Sequence, residues 1–368
     1  MEAVMPRHVM RVTSVVRGLS MLLLAIAAAC SGTTEPRTSG KLNTAVALAD
    51  YGAMDGVLQS AGWKNFQMTA SGMTAMGGTN ATASIAAGAL ANIAPAADSR
   101  AAATAMASFV ASGTAGIQLI STANLGKTFI YDGQGHRWVV DPTRTGAPAN
   151  GVRFITYEPK GVEPDATKPT GYADLIDQGN TSAGIALRLV VVEGTFTILD
   201  YHTTLEGANG IGHVTVGGFL QNRNDKLEFD VDVQGGNTNG VDRGDITFDL
   251  AIASRSFHVE GDVHSEKSNG AEHSTVDLTV RHSGASFRID VANDLGALSG
   301  VVNLNDAPFA KVSGRDGAPV FKTPSGGDLS PAEGLVLWKI FDITEDVFDL
   351  FEDLIDPIDD LIILAFIL

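Results

Sequence analysis

The sequence predicts a mainly β protein: a large curved or partly closed antiparallel β-meander, with small-residue N-terminal helices before it and a C-terminal amphipathic helix after it. Three observations predict this. Between Gly210 and Ser313, apolar and polar residues alternate in run after run, as in Leu227-Glu-Phe-Asp-Val-Asp-Val233. A period of two turns one face to a core and the other to water. Turn-forming groups separate the runs at Gly235-Gly236-Asn237, Ser268-Asn269-Gly270, Ser283-Gly284, Asn293-Asp294 and Asn305-Asp306, so consecutive strands join by short connections. After the last run, Ser330-Pro331-Ala332-Glu333 has the composition of a helix start, with Ser330 as N-cap, Pro331 at N1 and Glu333 at N3.

Residues 1–29 have the three parts of a secretory signal: basic residues Arg7, Arg11 and Arg17, the apolar run Met21–Ala29, and small residues before Cys30. The run is well short of the roughly 18 residues that span a bilayer. Translation from Met10 would leave a more compact signal. Cys30 is the only cysteine. The stretch Ala27-Ala28-Ala29-Cys30 resembles the lipobox of a bacterial lipoprotein signal, with Ala27 standing where that pattern usually has leucine. The resemblance implies that Cys30 is lipidated and anchors the mature chain to a membrane. Ser31, not aspartate, follows the cysteine, which implies an outer-membrane address in the cell envelope, facing periplasm or surface. A plain secretory signal cut near Ala29 is the alternative. The resemblance covers about the first thirty residues and says nothing about the rest.

The 368-residue chain carries a formal charge of −17. It becomes two units more negative when residues 1–29 leave with three arginines and Glu2. So acidic a chain is repelled by nucleic acid and by anionic membrane surfaces, and neither is an expected partner. With Cys30 used for lipid, no disulfide or thiol chemistry remains. Stability must come from the core, for which 44% hydrophobic content is adequate.

In chain order, residues 30–40 read as the lipidated cysteine and a flexible tether. Residues 41–121 are an Ala/Gly-rich helical region, with helices expected over Thr44–Ala61 and Ala96–Ser112, and glycine arguing against regular helix over Thr69–Ala94. Residues 122–325 are the β domain. Lys127–Tyr131 and Arg137–Val140 flank Asp132-Gly-Gln-Gly135 as a hairpin, and Val152–Tyr157 is a further strand. Glu158–Gly184, with Pro159, Pro164 and Pro169, reads as a long loop. Ile185–Val192 and Thr195–Leu205 pair around Glu193-Gly194, and the alternating runs follow.

Residues 326–368 hold the acidic amphipathic helix and an apolar tail. Ile340, Ile343, Val347, Leu350, Phe351 and Leu354 fall on one stripe, while Asp342, Glu345, Asp346, Asp349, Glu352, Asp353 and Asp356 take the other side. Membrane-surface helices are usually rich in Lys and Arg on their polar face, so this helix is expected to cover the apolar face of its own sheet. The tail Leu361–Leu368 is continuously apolar.

Chemistry-bearing patterns are few. His258, Glu260, Asp262 and His264 share one strand face and are the candidate metal ligands, with Asp230, Asp232, Asp249, Asp277 and Asp290 available from neighbouring strands. Residues i and i+2 on a strand are roughly 6.6 Å apart, too wide for an ideal site without cross-strand help, and the same pattern suits a solvated acidic face. Asp230-x-Asp232-x-Gln234-Gly235 resembles the start of a calcium loop but has Val241 at the twelfth position and begins inside a strand. There is no Gly-x-Ser-x-Gly elbow, phosphate loop or His-Glu-x-x-His, so neither catalytic residues nor a cofactor are assigned. The architecture suggests a lipid-anchored envelope protein binding an apolar or amphiphilic ligand between sheet and helices. The alternative is a structural or protein-interaction lipoprotein with an envelope protein partner, its contact made by the C-terminal helix and tail.

Overall fold

Period-two alternation builds nearly everything after Ile120. The strands are β1 (Thr128–Asp132), β2 (Arg137–Val140), β3 (Gly151–Lys160), β4 (Glu163–Asn180), β5 (Gly184–Glu193), β6 (Phe196–Ala208), β7 (Ile211–Gln221) and β8 (Lys226–Thr238). They continue as β9 (Val241–Ile252), β10 (Phe257–Ser268), β11 (Ala271–His282), β12 (Ala285–Asp294), β13 (Ala297–Leu304), β14 (Ala307–Arg315) and β15 (Ala318–Lys322). This is a computed structural model describing residues 42–74, 120–180, 184–208, 211–238, 241–268, 271–282, 284–315 and 318–341, with Leu350 and Leu354. The signal, Cys30, the tether, the helix expected over Ala96–Ser112, the acidic face of the C-terminal helix and the tail Leu361–Leu368 lie outside the described residues.

One sheet takes all fifteen strands, in chain order from β15 to β3 and then β1 and β2. Pairing is antiparallel except between β1 and β3, which run parallel through Thr128↔Arg153 and Phe129↔Phe154. The sheet is not closed into a barrel: β15 pairs only with β14, and β2 only with β1. Positive φ at Asn305 (49°) and Asp306 (61°) makes the turn between β13 and β14, the left-handed pair that joins antiparallel strands without splaying them.

Residues 158–180 correct the sequence reading. They form the end of β3 and the 18-residue β4 instead of a long loop. Pro159 faces Pro164 and Pro169 faces Tyr157, where the ladder register shifts. Proline disrupts a strand only where its missing N–H is needed, and an irregular ladder end does not need it.

The N-terminal region gives α1 (Thr44–Leu58) and α2 (Ala61–Thr74). The expected single helix over Thr44–Ala61 breaks at Ser60, whose Oγ accepts from the Trp63 N–H at 3.4 Å. Helix α1 buries Ala47, Tyr51, Met54 and Val57 on one stripe. Helix α2 continues into the glycine-containing stretch expected to be irregular. Trp63 and Phe66, earlier in α2, are buried, as is Thr69 at the start of that stretch, and tertiary packing of this kind outweighs weak helix propensity.

The third helix, α3 (residues 331–341, with Leu350 and Leu354 also helical), starts as read. The Ser330 N–H and Oγ–H both donate to Glu333 Oε2, and the Glu333 N–H donates to Ser330 Oγ at 3.4 Å. Val336, Leu337, Ile340, Leu350 and Leu354 are buried, and the Tyr201 hydroxyl donates to the Leu354 carbonyl. Phe321 of β15 packs against Trp338 and Phe341. Lys339 pairs with Asp55 of α1 at 3.6 Å, and Asn222, between β7 and β8, donates to the Gly56 carbonyl. On a flat sheet β8 and β15 would be seven spacings, roughly 33 Å, apart. The chain of contacts joining them runs through α1 and α3, which meet at the Lys339–Asp55 pair, a path shorter than that flat span, so the sheet curls around the helices.

Candidate functional site

Strand register decides which polar groups meet on the outer face. Counting back from the β10–β11 turn puts His258 opposite Arg281, and Glu260 opposite Asp249 on the other flank. His258 Nε2 lies 2.8 Å and 2.9 Å from the two Asp249 oxygens. Arg281 donates from one nitrogen to His258 Nδ1 at 3.0 Å and from another to Glu260. The ring therefore donates from Nε2 and accepts at Nδ1, a neutral tautomer fixed from both sides. The Arg281 guanidinium holds the Glu260 carboxyl below the usual carboxylate range.

Of the four candidate ligands on β10, the structure joins His258 and Glu260, adding Asp249. Among the described residues this is one group gathered tightly enough for a metal ion, with ligand atoms within 4.8 Å of one another. Its donor set already holds a cation, since Arg281 lies against both His258 and Glu260. A metal would have to displace that guanidinium and compete for the His258 nitrogens. The same engagement removes the imidazole lone pair that general-base chemistry needs.

Asp262 and His264 belong to other rows. His264 contacts Asp245 and lies 3.6 Å from Glu266. Asp262 is opposite Thr247 and Asp277. Asp277 in turn faces Asp290, and burial together with the Asp290 charge raises the Asp277 carboxyl. Arg288 reaches both, at 3.1 Å and 3.5 Å, offsetting like charges that destabilise when directly opposed. A depression of about 440 Å³ runs along these rows, lined by Asp245, Thr247, Asp262, His264, Asp277 and Asp290 among others. The stretch with calcium-loop spacing is no loop: Asp230 and Asp232 lie in β8, and Asp232 pairs with His213 at 2.7 Å.

A second polar cluster is buried under α1 and has no sequence motif. Asp50 and Tyr51 of α1 meet the sheet where β11 ends at His282 and β10 begins at Phe257. Asp50 Oδ2, the Tyr51 hydroxyl and both His282 ring nitrogens lack hydrogen-bond partners among the described residues. Burial raises Asp50 against the opposing charges of His282 and Arg255, and depresses His282 against the charge of Asp50. Arg255 directs its fork to Asp225 and stays 3.9 Å from Asp50. His282 stacks on Phe287 at 5.9 Å. Sequence reasoning passed over Arg281, Asp245 and this cluster. Only a register count could have found the first two, and helix docking, which creates the third, leaves no spacing to read.

On the inner face, burial is graded along the strands. The row Val231, Phe248, Leu278, Ile289 and Val302 is buried, with the Phe248 ring lying over Gly261. One row toward the β8–β9 and β10–β11 turns, Val233, Ile246 and Val291 are still buried, whereas Val263 and Val276 on the strands between are half-buried, as is Leu298 beyond them. No protein-family model matches the chain, and no curated protein or solved structure matches it.

Proposed function

We propose that the chain is a lipid-anchored cell-envelope protein that binds an apolar or amphiphilic ligand between its sheet and its helices. The observation that carries this reading is the graded inner face, where Val263, Val276 and Leu298 are half-buried while Ile246 and Val291 on either side and the rows behind them are buried. Apolar side chains at the rim of a curled sheet are suited to take up an acyl chain or a similar group, because burial stabilises by about 25 cal/mol per Å² of apolar surface removed from water. The lipobox-like Ala27-Ala28-Ala29-Cys30 supports the anchor and the envelope address. Among the described residues no helix is long and apolar enough to cross a membrane.

The test uses an apolar fluorescent probe, N-phenylnaphthylamine, on the purified protein. Saturable enhancement that Val276→Trp removes, with unfolding midpoint unchanged, fits the reading. Enhancement that is absent, or indifferent to Val276→Trp, sinks it. Radiolabelled palmitate should enter the wild-type chain and not Cys30→Ser.

A second reading rests on a different observation. Leu335 and Trp338 on α3 are 50% and 42% exposed, near β15, the last strand at one end of the sheet. Exposed apolar groups next to a strand edge suit a protein contact, so an interaction lipoprotein docking through α3 is the competing function. Leu335→Ser with Trp338→Ser would abolish partner capture in that case and leave probe binding untouched.

A further inference from the structure

We propose that the cleft between the loop 141–150 and the outer face of β1, β3 and β4 binds a small oxyanion of the phosphate class. The cleft holds about 350 Å³ and is lined by Thr128, Arg144, Thr145, Arg153, Thr170 and Tyr172 among others, with no acidic residue in its lining. That composition runs against the rest of a chain whose formal charge is −17.

Its floor is built and rigid. Arg153 donates from Nε and one terminal nitrogen to the two Asp174 oxygens, both at 2.7 Å, with its guanidinium carbon 3.6 Å from the centre of the Tyr172 ring. Held in this bidentate grip and stacked from one side, the guanidinium cannot swing away. The other terminal nitrogen, Nη1, is free of the Asp174 pair. It lies beneath Gly146, where an added Cβ would come within 3.1 Å of it. Gly146 has a φ of 95°, so the loop passes over the cleft in a conformation that favours glycine.

The wall supplies further donors. Arg144 commits Nε to Asp141 at 3.3 Å and is 47% exposed, which leaves its terminal nitrogens able to turn inward. Thr128 is 1% exposed, and its Oγ1 is buried without a hydrogen-bond partner among the described residues. A buried hydroxyl left unmatched is costly, and here it lies in the register position beside Arg153. Two guanidinium groups and an unmatched hydroxyl around a small cleft are a donor set for a tetrahedral oxyanion. The cleft lies on the outer face, so it is independent of the apolar-ligand reading above.

Isothermal titration of the full-length protein with inorganic phosphate and, separately, with glycerol phosphate tests this. Saturable binding of either at millimolar concentration or below is expected. Equal affinity for both assigns the site to the free ion, and tighter glycerol phosphate assigns it to an ester such as a lipid headgroup. Arg144→Gln should weaken binding roughly ten- to hundredfold, the loss of one charge-assisted contact, without moving the unfolding midpoint, since Arg144 is a surface group. Thr128→Val should weaken binding several-fold while leaving the fold intact. No saturable heat from either ligand, or an Arg144→Gln protein that binds as tightly as its parent, overturns the proposal.

Discussion

Two neighbouring rows of side chains, one residue apart on the same strands, do opposite things. The inner row runs across nine strands as Leu189, Tyr201, Gly218, Phe229, Leu250, Val259, Val280, Phe287 and Leu304. The eight side chains of this row are all buried, and Gly218 contributes none. The outer row runs in step as Arg188, His202, Gly217, Asp230, Asp249, Glu260, Thr279, Arg288 and Asn303, with charged groups that pair across strands. Burial supplies the free energy of the first row, whereas exposed ion pairs supply little to the second. The fold therefore resides in one face, and the other is free to carry charge and chemistry.

Substitutions at adjacent positions sharpen that contrast. Phe287→Ala, inside the inner row and edge-on to Phe309, should cost about 3–5 kcal/mol in urea unfolding. Gly218→Ala comes next. A Cβ there would meet the Asp200 carbonyl oxygen at 2.2 Å and Tyr201 at 2.5 Å, and overpacking of this kind costs about 1–3 kcal/mol. If Gly218→Ala proved neutral, the close approach of β6 and β7 would be wrong.

His282 gives a smaller, pH-dependent effect. Its folded imidazole is depressed by burial, so the unfolded chain takes up a proton first as pH falls past the ordinary value of about 6.5. Stability is then lost on acidification. Asp50 acts in the opposite sense: its raised folded carboxyl is protonated before the unfolded one, which adds stability as pH falls toward 3.8. Tyr51, Arg255 and Asp225 face the same cluster, and Arg255 is fully charged throughout. His282→Leu should remove the loss between neutral pH and about pH 5, measured as a flatter midpoint-versus-pH curve. A curve as steep as that of the wild type would contradict this.

The smallest effect belongs to the outer face. Arg288→Gln, beside Phe287 in sequence, should move the urea midpoint only slightly, because its ion pairs are exposed to solvent. Added salt should shrink the difference, because it screens the repulsion between Asp277 and Asp290. A loss as large as that of Phe287→Ala would erase the distinction between the faces.

The sequence made the faces legible and left their contacts obscure. Alternation at Leu227–Val233 identified strands because burial imposes a period of two on any strand with one wet side. The Ser330–Glu333 box was equally readable, since capping is local. Pro159, Pro164 and Pro169 misled because their tolerance depends on ladder irregularities set by the partner strand. Arg281 stayed hidden because its place beside His258 depends on strand register. Asp50, Tyr51 and His282 meet only when α1 docks, and the Arg144–Arg153 cleft exists only because a loop folds back over β3.

The central claim is that the graded inner face holds an apolar ligand, and native mass spectrometry tests it most directly. Residues 30–368, with Cys30→Ser, would be expressed in the bacterial periplasm and sprayed without denaturation. The account predicts a bound mass in the lipid range that is released on denaturation and is absent from Val276→Trp. A clean, ligand-free mass for the unmodified domain would contradict it and move the function to the exposed surface of α3.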